Sequence, residues 1–518
     1  MLSLMYIRSK IILLLFLVFL IEITQGQVLP QPKREFRGVW IATVTNIDWP
    51  SSGKTSAQRQ QQELLEILSA HHQTGINAIM FQVRPAADAL YAKSREPWSQ
   101  WLTGKQGKAP SPAYDPLEFA INEAHQRGME LHAWFNPYRA TFSANQKGLS
   151  DDHITKQKPE WFFTYAGRKL FNPGLPEVRE YIIKVVLDVV DNYDIDGVHL
   201  DDYFYPYPVD GQHIDDAQTF ADHPDGFTEI KDWRRHNVDT LIHALSDSIH
   251  HHKNYLKFGI SPFGIWANKR QNPEGSETGG GSSYYEQFAD SRRWIKEGWL
   301  DYINPQIYWP FNNRAAAFEK LVDWWSNNTY GRHLYIGMAA YRINERMSAS
   351  WKESSQMPRQ LRYLRENARV QGSVYFSSRS LQNNPLGFTD SLKTDFYRYP
   401  ALPPAMLWRD AAVPNIPREL TAKVTGKAVS LHWELPLPAS DGDTAFGYVV
   451  YRFDQHEPIN LTDPKHILNI TYTQQRSFED QSAETGKNYQ YVVTALDRLK
   501  NESYPSNTAV ANLPGNNL

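Results

Sequence analysis

Between residues 38 and 377 the chain alternates short apolar runs with stretches of helical spacing. Eight runs have strand length: Gly38–Val44, Ala78–Val83, Glu130–Asn136, Gly197–Asp201, Lys257–Pro262, Tyr302–Tyr308, Leu334–Ala340 and Ser373–Ser377. Helical patterns cover Ser56–Ala70, Pro116–Arg127, Pro176–Asn192, Trp233–His250, Tyr285–Glu297 and Ala315–Asn327. Two of them open on proline, whose fixed φ suits a first helical turn. Strand and helix in regular alternation predict an α/β fold, a closed (β/α)8 TIM barrel over residues 33–400. A doubly wound open sheet is the alternative. It is disfavoured because the first strand runs into Thr43-Val-Thr-Asn-Ile-Asp-Trp rather than a glycine-rich turn.

The pattern changes after a proline-rich stretch, read as a linker over residues 401–416. Beyond it, Val429-Ser-Leu-His-Trp-Glu, Phe446-Gly-Tyr-Val-Val-Tyr-Arg and Tyr489-Gln-Tyr-Val-Val-Thr-Ala alternate with period two. Residues 417–514 are therefore expected to form a small all-β sandwich. The Trp433 strand, Val449-Val-Tyr-Arg and Tyr489 through Asp497 make it resemble a fibronectin type III domain. No catalysis is assigned to it.

At the other end, Arg8 and Lys10 precede an apolar run from Ile11 to Ile21. That length suits the hydrophobic region of a secretory signal better than a membrane span. Thr24 and Gly26 are small residues placed for cleavage after Gly26, so residues 1–26 are expected to be removed on export; an uncleaved anchor is the alternative. The chain has no cysteine, which excludes disulfides and a lipidated N-terminal cysteine. A net charge of −3 carries no basic footprint for nucleic acid. The 16 Trp and 28 Tyr matter more, because aromatic rings stack on sugar faces.

In a barrel the chemistry sits at the C-terminal ends of the strands. Polar residues gather there at one parity. Strand two ends in Gln82 and Arg84. Strand three carries His132, Trp134 and Asn136, followed by Tyr138 and Arg139; strand four carries His199 and Asp201 before Asp202 and Tyr203. Gln306, Tyr308 and Trp309 follow strand six, and Tyr341 strand seven. Buried polar groups without partners are costly, so their convergence on one end points to a site. His132, His199 and Asp201 also form a possible zinc set for a hydrolase or deacetylase, against the simpler reading of a hydrogen-bonded polar layer. The reading adopted has no metal and no cofactor.

Asp201 and Asp202 are the sharpest feature. Two neighbouring carboxyls repel, which raises the pKa of one and suits it to acid catalysis. Asp202 is expected to protonate a leaving oxygen while Asp201 positions it or stabilises positive charge, with the reverse assignment open. Asp48 and Asp88, on loops, are candidates for a base or nucleophile; if a substrate carries N-acetyl groups, its own carbonyl is the alternative nucleophile. Trp49, Trp134, Trp309 and Tyr138 would stack on sugars, Gln306, Tyr308 or Tyr203 would orient an acetamide, and Arg84 and Arg139 would meet a carboxylate.

Five segments carry a more specific resemblance: Arg37-Gly-Val-Trp-Ile-Ala-Thr-Val-Thr-Asn-Ile-Asp-Trp-Pro, His132-Ala-Trp-Phe-Asn-Pro-Tyr-Arg, Asp196-Gly-Val-His-Leu-Asp-Asp-Tyr-Phe-Tyr-Pro, Gly259-Ile-Ser-Pro-Phe-Gly-Ile-Trp and Asn304-Pro-Gln-Ile-Tyr-Trp. In this order, over about residues 33–390, they resemble the glycosyl hydrolase-like 10 family. The resemblance implies a barrel and an exported bacterial glycosidase of the periplasm or cell envelope. It further implies a peptidoglycan glycan substrate from which the stem peptides have been removed. A monomer is expected. The strand-four segment is distantly similar to family-18 chitinases, but the position of their terminal acid is Tyr203 here, so their roles do not carry over unchanged. A glycan-binding barrel without catalysis is the competing reading.

Overall fold

The computed structural model describes residues 31–515; the expected signal segment, 1–26, lies outside the described residues. Eight parallel strands close into a barrel: β1 (Phe36–Ile41), β2 (Ala78–Arg84), β3 (Glu130–Phe135), β4 (Gly197–Leu200), β5 (Lys257–Ile260), β6 (Tyr302–Ile303), β7 (His333–Met338) and β8 (Gly372–Tyr375). Each strand pairs with its neighbours in sequence, and β8 closes on β1 through Phe36↔Gly372 and Val39↔Tyr375.

The helices form where their end signals stand. Ser56 accepts from the Arg59 amide to open Ala57–Thr74, and Gly75 closes it at φ 88. Pro116 and Pro176 sit in the first turns of Pro116–Gln126 and Pro176–Asn192. The expected helix Tyr285–Glu297 is instead two short pieces, Ser283–Glu286 and Ser291–Lys296, broken near Phe288 at φ 52. β6 is shorter than expected because Pro305 has no N–H to give the ladder.

Inward and outward residues alternate along the barrel strands. Leu131, Ala133, Phe135, Val198 and Leu200 join the core under the helices. Phe36, Trp40, Met80, Trp134, Tyr302, Tyr335 and Val374 fill the interior. The interior also holds an unbroken polar thread. Trp40 Nε1 donates to His199 Nε2 (3.1 Å), and the Tyr302 hydroxyl lies 2.9 Å from both His199 Nδ1 and His132 Nδ1. His132 Nε2 then meets Glu130 at 3.1 Å.

Residues 418–512 form the sandwich. One sheet is β9 (Arg418–Thr425), β10 (Ala428–Glu434) and β13 (Ser477–Asp480); the other is β11 (Gly447–Asp454), β12 (Ile467–Thr471), β14 (Asn488–Leu496) and β15 (Ala509–Asn512). Trp433 and Tyr448 meet edge-on in its core at 5.2 Å. The sandwich covers the N-terminal end of the barrel strands. Gly128, at φ 63, lies so close to the Ile470 carbonyl that a Cβ would be 2.5 Å from it. Lys500 is fully buried, 3.2 Å from Asp196 and 3.5 Å from Glu130. Burial alone would raise the Glu130 carboxyl, but Lys257 and Lys500 outweigh it and hold it below its ordinary range. The proline-rich connection is packed against the same end: Leu402 and Met406 are buried, and Trp408 and Arg409 donate to Asp301 at 3.1 and 2.9 Å.

Candidate active site

The opposite, C-terminal end of the barrel opens into a cleft of about 500 Å³. Asp201 and Asp202, at the tip of β4, stand in its floor. Asp201 Oδ2 accepts from Trp134 Nε1 (3.1 Å) and Asn136 Nδ2 (3.2 Å), and its Oδ1 accepts from the Tyr203 amide (3.2 Å). Asp202 accepts from the Tyr207 hydroxyl and from Gln306 Nε2, the latter at 3.1 Å. Gln306 is itself fixed by the Ser261 carbonyl at 2.9 Å.

Burial, and then the charge of Asp202, push the Asp201 carboxyl up to about 7, against the pull of Arg139 and the Trp134 hydrogen bond. Burial also raises Asp202, although Tyr207 and Gln306 stabilise its charged form. Two adjacent carboxyls of this kind titrate as a unit. The site therefore holds a proton near neutral pH.

Ten of the residues singled out in the sequence line this cleft: Gln82, Trp134, Arg139, Asp201, Asp202, Tyr203, Gln306, Tyr308, Trp309 and Tyr341. Asn136 stands behind them, holding Asp201 and, through its Oδ1, the Arg139 amide. Tyr138 is buried and lines a smaller chamber next door.

Others are corrected by their surroundings. Arg84 does not reach the mouth. A register irregularity after Gln82 sets Arg84 opposite Phe135, on the outer face, where it forks onto Glu96 at 2.6 and 2.7 Å. Trp49 is fully buried, its Nε1 bonded to the Gln60 carbonyl, so it cannot stack on a sugar. Asp48 ties two rim loops together, accepting from the Ala42 amide, Ser377 and the Arg379 amide. Asp88 is buried away from the cleft beside Gln106, and burial pushes it up to about 6.

His132 and His199 are fully buried below the floor, and each ring nitrogen already has a hydrogen-bond neighbour. Burial lowers the pKa of both and so favours their neutral forms, although Glu130 pulls His132 the other way. They form the polar layer, not a zinc set with Asp201. Among the described residues, three metal-type donors converge only at Asp410, Asp441 and Asp443, on the connection and the sandwich.

The cleft is also lined by Trp40, Tyr207, Ser261, Phe263, Arg342 and Phe376, none of them named above as a site residue. Trp40 had the inward parity of Trp134 and could have been found by the same rule. Tyr207 lies on the loop after β4, where parity has no meaning.

The sequence pattern that defines the glycosyl hydrolase-like 10 family matches residues 35–353, more than half of the chain. The chain belongs to this family. A fibronectin type III pattern, that of the SaeA third domain, matches residues 417–513 of this glycosyl hydrolase-like 10 protein. It is 43% identical over 483 residues to the Bacillus subtilis (strain 168) protein named glycosyl hydrolase YngK, covering 92% of this chain and 93% of that one. It is 38% identical over 369 residues to glycosyl hydrolase DigH of Escherichia coli (strain K12), covering 67% of this chain and 83% of that one. Among solved structures, the PgaB (BpsB) glycoside hydrolase domain from Bordetella bronchiseptica aligns with a TM-score of 0.46 at 12% identity. That alignment covers 70% of this chain and 98% of that one.

Proposed function

We propose that this protein is an exported glycosidase that cuts the glycan strands of peptidoglycan after their stem peptides have been removed. The observation that carries the catalytic reading is the Asp201–Asp202 pair, holding a proton near neutral pH in the floor of an aromatic cleft. Trp134, Tyr308, Trp309 and Tyr341 offer ring faces and edges to a sugar chain. The peptide-stripped substrate and the export rest on the family resemblance and on residues 1–26, and the protein acts as a monomer in the cell envelope.

Asp201, the carboxyl raised to about 7, donates its proton to the leaving glycosidic oxygen. This reverses the simpler expectation that Asp202 is the donor. Asp202, fixed by Tyr207 and Gln306, remains the charged partner and stabilises positive charge near the anomeric carbon. Among the described residues lining the cleft, these are the only carboxyls. A substrate acetamide therefore supplies the nucleophile, and one protein acid suffices. Gln306 and Tyr308 stand where they can orient it.

The test is digestion of amidase-stripped peptidoglycan by wild type, Asp201→Asn and Asp202→Asn, with products read by mass spectrometry. Glycan fragments released by wild type and lost in both variants support the reading. Retention of intact glycan by all three proteins, with no release, overturns it in favour of a binding barrel.

A further inference from the structure

A second, smaller chamber of about 120 Å³ adjoins the cleft. Arg139, Tyr203 and Tyr207 line both, so the two spaces share a wall. The chamber lies between the loop after β4 and the hairpin Phe162–Tyr165/Arg168–Phe171 that follows β3. It is far below the ~300 Å³ at which pockets begin to take whole small ligands, so it suits a short substituent rather than a sugar ring.

Its charge is one-sided. Arg139 and Arg168 line it and, among the described residues, no acidic one does. Among the described residues neither guanidinium has an ion-pair partner, whereas the neighbouring Arg84 is fully engaged by Glu96. Arg139 Cζ lies 4.6 Å from the centre of the Tyr203 ring, and the Arg139 backbone amide donates to Asn136, the residue that also holds Asp201. Arg139 acts on Asp201 and Asp202 through space without an ion pair to either, so its guanidinium fork is free to take the two oxygens of a substrate carboxylate. The remaining wall, with Tyr165, Leu170 and Val209, is largely apolar.

We propose that this chamber is a specificity subsite for a short, carboxylate-bearing substituent on the sugar bound beside Asp201. The inference rests on the glycan reading above and deepens it. An apolar stem lies against the aromatic wall and its free carboxylate meets Arg139, with Arg168 contributing from the rim. When the carboxyl is converted to an amide the charge is gone, and the pairing is lost with it. The subsite thereby favours strands whose acidic substituents are free over strands in which they are capped.

The experiment compares one peptide-free acidic glycan with the same glycan after its carboxyls are converted to primary amides. The full chain, Arg139→Gln and Arg168→Gln are assayed for kcat/KM, and Asp201→Asn carrying each arginine change is titrated with both glycans by calorimetry. Wild type should prefer the acid form by about tenfold, equal to ~1.4 kcal/mol. Arg139→Gln should bring that ratio close to one, mainly by lowering kcat/KM on the acid glycan, and Arg168→Gln should reduce it in part. Equal handling of both glycans by wild type, or an unchanged ratio in Arg139→Gln, overturns the subsite. If no protein turns over either glycan, the glycosidase reading falls, and the binding ratio still decides the subsite.

Discussion

The Lys500 ammonium of the sandwich lies 3.2 Å from Asp196 Oδ1 at the base of the barrel. The two residues belong to different domains, and both are buried. Glu130 and Lys257, bonded at 2.6 Å, complete a compact group of opposite charges there. Lys500→Met would leave Asp196 and Glu130 short of a countercharge. Removal of one partner from a buried ionic group costs about 3–5 kcal/mol. Chemical denaturation of the full chain should show a loss of that order, with the barrel and sandwich failing together.

Tyr302 links two buried imidazoles through one hydroxyl. Tyr302→Phe keeps the ring and removes the link, leaving two ring nitrogens without a partner. Each stranded polar group costs about 1–3 kcal/mol. Urea unfolding of the variant should register a loss of at least that size for one group, while the aromatic packing of Phe36 and Tyr335 is retained.

The pH dependence follows from Asp201. In the proposed mechanism its protonated form is the acid, so kcat/KM should fall as pH rises through about 7. Stability carries the same sign. The folded carboxyl titrates above its ordinary value of 3.8, so burial penalises the charged form. Stability is greatest below that ordinary value and declines as pH rises toward about 7, by up to ~1.4 kcal/mol per pH unit. Asp201→Asn should remove most of this decline, which thermal unfolding at pH 4 and pH 7.5 would show.

Trp134 acts on the same proton. Its indole N–H stabilises the Asp201 carboxylate, so Trp134→Phe should move the alkaline limb of the activity profile upward. Loss of ring area in the cleft should raise KM several-fold, in line with the ~0.5–1.5 kcal/mol of an aromatic contact. A downward shift of the limb would contradict the assignment.

Arg84 separates structure from recognition. Arg84→Met strands the fully buried Glu96 carboxylate and should destabilise the fold by about 3–5 kcal/mol. The protein that remains folded should keep its preference between acid and amidated glycans, unlike Arg139→Gln.

Much of this site was legible from strand parity. His132, Trp134, His199 and Asp201 face inward as the alternation requires, and Leu131, Ala133, Val198 and Leu200 face out. Parity fails where the backbone departs from a regular strand. The irregularity after Gln82 turns Arg84 outward, and only the fold shows that Glu96 waits there. Trp49 and Asp48 sit on the loop after β1, where nothing in the local sequence distinguishes a ring facing solvent from one pressed on Phe81. Parity also separates inward from outward without ranking depth. It therefore could not say that His132 and His199 lie below the floor while Trp134 forms part of it.

The barrel strands all run from the end covered by the sandwich to the end that carries the cleft. The first described residues start at the covered end, where Lys33 is bonded to Glu502 of the sandwich. Gln31, the first described residue, therefore lies at the rear of the molecule. An N-terminal attachment to a surface would hold the protein by its closed end and leave the working face pointing outward, free to meet a polymer lying at a distance.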